Sequence, residues 1–86
     1  MPEISRFFGI VIKMFFNEHN PPHFHAFYGE HEVLIDINRL AVFAGSFPPR
    51  ALGLLIEWAT LHQAELLEDW MRARAKQPLE KIQPLQ

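Results

Sequence analysis

Three of the five histidines in this 86-residue chain lie within residues 18–29, whose sequence is EHNPPHFHAFYG. His23 and His25 are two positions apart, so on an extended strand both side chains point to the same face. Two prolines precede them, and proline fixes its own φ angle and disfavours a helical conformation in the residue before it. We therefore expect a stiff loop that carries His19, followed by a strand with two imidazoles side by side. Such an arrangement is typical of a binding or catalytic site.

The first interpretation of His19, His23 and His25 is a divalent-metal site. Neutral imidazole is a common ligand of zinc, nickel and copper, which are the cofactors we expect under this interpretation. A His-x-His pair on a strand offers two nitrogen atoms to one ion. His19 or Glu30 would then supply a third ligand.

The second interpretation is acid–base catalysis by the same imidazoles. An unperturbed imidazole has a pKa of about 6.5, which suits proton transfer at neutral pH. Cleavage of RNA by its own 2′-hydroxyl group also needs a cation for the phosphate, and the candidates for RNA or phosphate binding are Lys13, Arg39 and Arg50. Arg50 lies in the first turn of a predicted helix, where free N–H groups also attract anions. The catalytic residues would then be His23, His25 and Arg50.

The third interpretation is structural, with the clustered histidines donating hydrogen bonds to backbone carbonyls. The two remaining histidines have no such neighbours in the sequence. His31 is predicted to lie on the surface of a turn, and His62 is predicted to be a helix histidine rather than a ligand.

The apolar pattern predicts four strands. Residues 4–16 are dense in Phe, Ile and Val and favour one strand with two largely apolar faces. Residues 23–28, 32–38 and 40–44 favour three more, and Gly29 and Glu30 are predicted to form a turn. Because the connections are short, the strands should form an antiparallel meander.

A helix is predicted to follow the strands. Pro48 and Pro49 suit a first helical turn, and from Arg50 the apolar residues recur with helical spacing. Continued to Ala75, the helix is long for this domain, so a break around residues 62–64 is expected. The predicted fold is α+β, a four-stranded antiparallel β-meander packed against one long or broken C-terminal α-helix. Residues 1–77 form the domain, and residues 78–86 are a tail that docks on the domain or on a partner.

Composition limits the classes of function. The chain is 49% hydrophobic, contains no cysteine and has a net charge of −2. Disulfides and thiolate zinc sites are therefore excluded, and no overall basic field favours nucleic acid. No secretory signal and no membrane span are recognised, so we expect a cytoplasmic protein that does not contact membranes.

Short segments along nearly the whole chain resemble a small bacterial family described only as a domain of unknown function (number four-one-six-zero). The Pro-Pro-His-Phe-His core is the specific part, and residues 38–41 depart from the glycine-containing turn expected there. The resemblance implies a small α+β protein, often encoded beside a second small protein in the manner of toxin–antitoxin pairs, and no established activity. The family's histidines would correspond to His19, His23 and His25, and its basic residue at the helix start to Arg50. The matching segments are PEIS (2–5), GIVIKM (9–14), HNPPHFHA (19–26), IDI (35–37), PRA (49–51), EW (57–58), ELL (65–67), Trp70, PLEKI (78–82) and PL (84–85).

Three hypotheses for function follow. The leading hypothesis is that the protein is one half of a toxin–antitoxin-like two-protein module. In this hypothesis it is the toxin, with RNA-directed activity at the histidine cluster. The first alternative is a divalent-metal-binding domain. The second is a non-catalytic interaction module with a surface formed by Trp58, Trp70 and the apolar tail. The expected partners are a small cognate protein encoded nearby, RNA, and a second copy of this chain in a homodimer.

Overall fold

The computed structural model describes residues 3–86; Met1 and Pro2, which belong to the predicted domain 1–77 and to the PEIS segment, lie outside the described residues. Five strands precede two helices, and the strands form one antiparallel sheet in the order β1-β2-β3-β4-β5. The predicted α+β class and the antiparallel meander are therefore confirmed. The elements are β1 (Glu3–Phe7), β2 (Ile10–Lys13), β3 (His23–Tyr28), β4 (His31–Asp36), β5 (Ala41–Gly45), α1 (Pro49–Leu61) and α2 (Gln63–Arg74).

The prediction of four strands is wrong because residues 4–16 form a hairpin rather than one strand. Phe7 pairs with Ile10 across a two-residue loop. The loop residues Phe8 and Gly9 have φ angles of 48° and 81°. Positive φ at both loop positions is the backbone geometry of type I′ hairpin turns, which matches the twist of the flanking strands. The sequence hides this turn because a phenylalanine stands where asparagine or aspartate is usual.

One face of the sheet is buried beneath α1. Phe24 on β3 and Ile35 on β4 are fully buried partners in neighbouring strands. Trp58 of α1 is also fully buried, and its ring centroid lies 5.3 Å from that of Phe7 and 5.8 Å from that of Phe24. Truncation of a buried aromatic of this kind costs about 3–5 kcal/mol, so this contact is a main source of stability. Because side chains alternate along a strand, His25 is directed to the opposite face.

The helical region is broken, as the sequence allowed. α1 ends at Leu61 and α2 begins at Gln63, with His62 between them at a φ of −121°. The side chain of Gln63 donates a hydrogen bond of 2.8 Å to the carbonyl oxygen of Ile37. The break is thus fixed to the residue that follows β4.

The tail packs on the domain itself. Ile82 is only 4% exposed, and its N–H donates to the carbonyl oxygen of Ile4 at 2.8 Å. The indole N–H of Trp58 donates to the carbonyl oxygen of Gln83 at 2.9 Å. Trp58 and Trp70 are 0% and 3% exposed, so both belong to the core and offer no surface to a partner. Within residues 3–86, neither helix has the length and hydrophobicity needed to cross a bilayer.

A buried carboxylate on α2 holds the start of the tail. Asp69 is fully buried, and its Oδ1 accepts hydrogen bonds of 2.9 Å from the backbone N–H of Glu80 and from Nη1 of Arg72. Burial raises the pKa of Asp69, although the hydrogen bonds from Glu80 and Arg72 offset part of this effect. The carboxylate therefore links helix and tail at some electrostatic cost.

We expect Asp69→Ala to lower the free energy of unfolding by about 1–3 kcal/mol, because the N–H of Glu80 and the Arg72 guanidinium lose their acceptor. Urea unfolding measures the change. The matched control is Glu68→Ala, since Glu68 is 68% exposed and lies 3.9 Å from Arg72. Its effect should stay within about 0.5 kcal/mol. Equal losses in the two variants would show that Asp69 does not hold the tail.

Candidate functional site

The central hairpin places the imidazoles on a partly exposed side of the sheet. His25 on β3 pairs with Lys13 on β2 and with Leu34 on β4, and Phe27 lies two residues further along β3. These four side chains face away from α1 and are only partly buried. We call this surface, formed by Lys13, His25, Phe27 and Leu34, the open face. It allows solvent to reach the histidine cluster.

His25 lies between two carboxylates. Its Nε2 is 2.5 Å from Oε1 of Glu18, and its Nδ1 is 3.0 Å from Oε2 of Glu32. Both ring nitrogens of His25 are therefore within hydrogen-bond distance of a carboxylate oxygen. The edge of the Phe15 ring contacts the imidazole, with centroids 4.6 Å apart. The ring is thus held in one orientation at both nitrogens and along one side.

His23 is oriented by the proline loop. Its Nδ1 donates to the carbonyl oxygen of Pro21 at 2.7 Å, since a carbonyl can only accept. This bond leaves Nε2 directed towards Glu18, whose Oε1 is 3.4 Å away. The His23 side chain is 6% exposed and packs between the rings of Phe43 and Trp70, each with a centroid 5.2 Å away. The predicted bond to backbone therefore exists at one nitrogen of this ring, and the other nitrogen remains directed into the cluster.

Glu18 is the residue that joins the two imidazoles. Its carboxylate is 29% exposed and contacts the Nε2 atoms of both His23 and His25. Partial burial raises the pKa of Glu18, but the hydrogen bonds and charges of His25 and His23 outweigh this effect and bring the pKa below its ordinary value. Glu18 is therefore ionised at neutral pH.

The same three side chains are close enough to hold a metal ion. Glu18, His23 and His25 each offer one ligand atom, and these atoms lie within 4.8 Å of one another. In metal sites a ligating histidine donates its second N–H to a carbonyl or a carboxylate, as His23 and His25 do here. Two histidines with one carboxylate is a ligand set used by zinc and by non-haem iron. The geometry therefore permits metal binding as well as proton transfer.

The structure brings together only some of the predicted site residues. His23 and His25 converge, but the third member of the cluster is Glu18, and His19 is exposed outside it. Lys13 is the cross-strand neighbour of His25, and its ammonium group lies 5.2 Å from the centroid of the Phe27 ring. Two further candidates, Glu30 and Arg39, are exposed in the turns after β3 and β4.

Arg50 lies apart from the imidazoles. It lines a cavity with Tyr28, at the opposite end of β3 from His23. Tyr28 is five positions from His23 along the strand, which corresponds to about 16 Å. Arg50 therefore does not share a reacting centre with His23 and His25.

The sequence pattern does not point to Glu18 and Glu32, the two carboxylates that contact His25. Glu32 could have been found, because the two-residue turn after Tyr28 fixes its register opposite Phe27, on the face that carries His25. Glu18 is in an irregular loop, where the sequence gives no rule for side-chain direction. The aromatic neighbours Phe15 and Phe43 depend on the same tertiary packing.

The fold and the cluster define a small α+β meander protein with a carboxylate–imidazole site on the partly exposed face of its sheet. Residues 9–71 match the family described as Domain of unknown function (DUF4160), and the chain belongs to that family. The match includes Glu18, His23, His25 and Arg50. No curated protein and no solved structure matches the chain.

The pKa of Glu18 predicts how stability depends on pH. A carboxyl group whose pKa is lower in the folded state than in the unfolded state stabilises the folded state. The stabilisation is complete at pH values above the unfolded pKa, which is about 4.3 for Glu. It is lost as the pH falls through the lower pKa of the folded state. At about pH 6, the free energy of unfolding of the wild type should therefore exceed that of Glu18→Gln by about 1 kcal/mol, because Glu18 is only partly exposed.

The difference between wild type and Glu18→Gln should disappear in strong acid. Urea unfolding over a series of pH values measures it. Glu30→Gln, in the exposed turn after β3, is the control and should show no such trend. A constant difference down to about pH 2 would show that ionisation of Glu18 does not stabilise the fold.

Proposed function

We propose that this protein is the toxin of a two-protein module and that it acts on RNA through Glu18 and His25. The observation that carries the proposal is the position of His25 between Glu18 and Glu32, 2.5 Å and 3.0 Å away. An imidazole held beside a carboxylate that is ionised at neutral pH places a side chain able to donate a proton next to one able to accept a proton.

The proposed reaction is cleavage of RNA by its own 2′-hydroxyl group. The Glu18 carboxylate takes the proton of that hydroxyl group, and the 2′-oxygen attacks the adjacent phosphorus. The bond between phosphorus and the 5′-oxygen breaks, and the departing oxygen takes the proton from Nε2 of His25. The products are a 2′,3′-cyclic phosphate and a 5′-hydroxyl group. RNA must insert between Glu18 and His25, which at present contact each other directly.

The neighbouring side chains support a nucleic-acid substrate. Lys13 pairs with His25 across the sheet, so its ammonium group can approach a phosphate held near the imidazole. The ring of Phe27 is stacked relative to that of His25, with centroids 6.4 Å apart, and remains partly exposed. Aromatic rings beside cations are how proteins bind single strands without sequence preference. The net charge of −2 means that such binding depends on this local patch.

We expect wild-type protein expressed alone to arrest growth, and co-expression of the neighbouring gene to restore it. His25→Gln should abolish the arrest, because loss of a general acid lowers the rate by about 10²–10⁴-fold. Purified wild type should cleave single-stranded RNA to cyclic phosphate ends, resolved by electrophoresis and mass spectrometry, and the reaction should persist in EDTA.

The control for this experiment is His31→Gln, which changes an exposed histidine at the start of β4. It should be as active as wild type. Two results would refute the proposal: a wild-type protein that is harmless with and without its neighbour, or full cleavage of RNA by His25→Gln.

A second candidate function is divalent-metal binding by Glu18, His23 and His25. It is favoured by the spacing of their ligand atoms, all within 4.8 Å. Zinc needs nitrogen ligands at about 2.0–2.1 Å, which small rotations of these side chains would provide. In this case the imidazoles are ligands rather than proton donors, and the metal would make any RNA cleavage sensitive to EDTA.

Elemental analysis and thermal melting of protein purified without a histidine tag test metal binding. The protein should bind one equivalent of zinc, nickel or copper, and free metal at a hundredfold excess over its Kd should stabilise the fold by about 2.7 kcal/mol, or roughly 10–20 °C in Tm. Glu18→Ala should remove most of this shift. His19→Ala should retain it, because His19 is outside the cluster. No bound metal and no shift in the wild type would exclude this function.

A further inference from the structure

The cavity that Arg50 and Tyr28 line is at the end of β3 remote from His23. It has a volume of about 390 Å³ and is lined by Phe8, Tyr28 and Arg50 together with apolar residues that include Leu54. This volume is within the range of about 300–1,000 Å³ that small-ligand pockets occupy. Phe8 and Tyr28 remain 60% and 37% exposed, so the cavity presents aromatic surface to solvent.

Phe8 is held in an unfavourable backbone conformation. Its φ of 48° lies in the left-handed region, which bulky residues rarely adopt. Asparagine, aspartate or glycine would form the same turn with less strain. The ring does not contribute to the core, since most of it is exposed. A strained residue whose side chain faces solvent is a mark of a functional position.

Tyr28 forms a second wall, and Gly9 makes room for it. A Cβ atom added to Gly9 would lie 3.2 Å from Cε1 of Tyr28, so the tyrosine ring packs directly against the glycine backbone. The ring of Phe47 lies on another side, with centroids 6.0 Å apart. The tyrosine is therefore held in place, while part of its ring remains accessible from the cavity.

Arg50 adds one positive charge to this aromatic cavity. It is exposed, and among residues 3–86 no carboxylate lies within ion-pair distance of it. The cavity lining contains no acidic residue. A guanidinium group without a partner binds phosphate through two parallel hydrogen bonds. The complementary ligand is a flat ring joined to a phosphate.

We infer that this cavity binds one nucleotide of a single-stranded RNA, with the base against Phe8 and Tyr28 and a phosphate on Arg50. The inference rests on the proposed function, to which it adds an anchor for the substrate. Tyr28 is three residues from His25 along β3, which corresponds to about 10 Å, and it lies on the opposite face of the strand, so the anchor does not touch the reacting atoms. It would position the strand rather than take part in the proton transfers.

Binding of a short 2′-O-methyl RNA, which lacks the attacking hydroxyl group, tests the anchor without cleavage. Fluorescence anisotropy should show that Phe8→Gly weakens binding by about 5- to 150-fold, the range for loss of one stacked base. Its urea midpoint should be equal to or above that of the wild type, because glycine accepts the positive φ without strain. Unfolding therefore cannot account for the weaker binding.

Calorimetry with adenosine, adenosine monophosphate and inorganic phosphate tests whether the positive charge of Arg50 binds the phosphate. Arg50→Ala should weaken binding of the monophosphate but leave binding of adenosine unchanged. Arg39→Ala, in the turn after β4, should leave binding of all three ligands unchanged. Wild type that binds neither the RNA nor the monophosphate would overturn the inference, as would Phe8→Gly and Arg50→Ala variants that bind both normally. If these ligands bind as expected and wild type still fails to cleave RNA, the anchor stands and the proposed reaction fails.

Discussion

The pairing of Tyr28 with His31 across a two-residue turn determines which side chains of the central hairpin meet α1. This register places Phe24 and Ile35 in the core, where both are fully buried. His25 must then point the other way, since successive residues alternate between faces. A slip of one residue would bury the imidazole and expose Phe24, so the hydrophobic core itself enforces the placement of the cluster. The stability of the fold and the orientation of the site have one cause.

Within the cluster, two opposing electrostatic effects act on Glu18. Partial removal from water raises the pKa of this carboxyl group, whereas two nearby imidazoles lower it, and the second effect is the larger. Glu32 contacts the far nitrogen of His25 and keeps the ring directed towards Glu18. Ion pairs of this kind contribute to the stability of the fold only if most of their hydrogen-bonding groups are satisfied. The carbonyl oxygen of Pro21 accepts the hydrogen bond from Nδ1 of His23 and so meets that condition. The proline loop therefore sets the orientation of the His23 ring, which strand pairing alone would leave free.

The parts of this structure that the sequence predicts are those governed by short-range rules. Alternation along residues 23–28 places His23 and His25 near one another, and that pairing is observed. The hairpin at Gly9 was missed because its loop lacks the usual asparagine, although a glycine inside an apolar run is a signal for a turn. Glu18 was missed for a deeper reason. It lies in the irregular segment between β2 and β3, where strand alternation does not set side-chain direction, and its neighbour His19 is outside the cluster.

The separation of Arg50 from the imidazoles has a similar origin. Proximity to a helix start favours a role in anion binding, but only the path of the chain determines which end of the sheet that helix start approaches. Here Ser46, Phe47 and Pro48 lead from β5 to α1 beside the Tyr28 end of β3. Because β3 has a paired strand on each side, it cannot bend freely, and the distance between its two ends is fixed. One central strand therefore holds the histidine cluster and the cavity beside Arg50 at a constant separation.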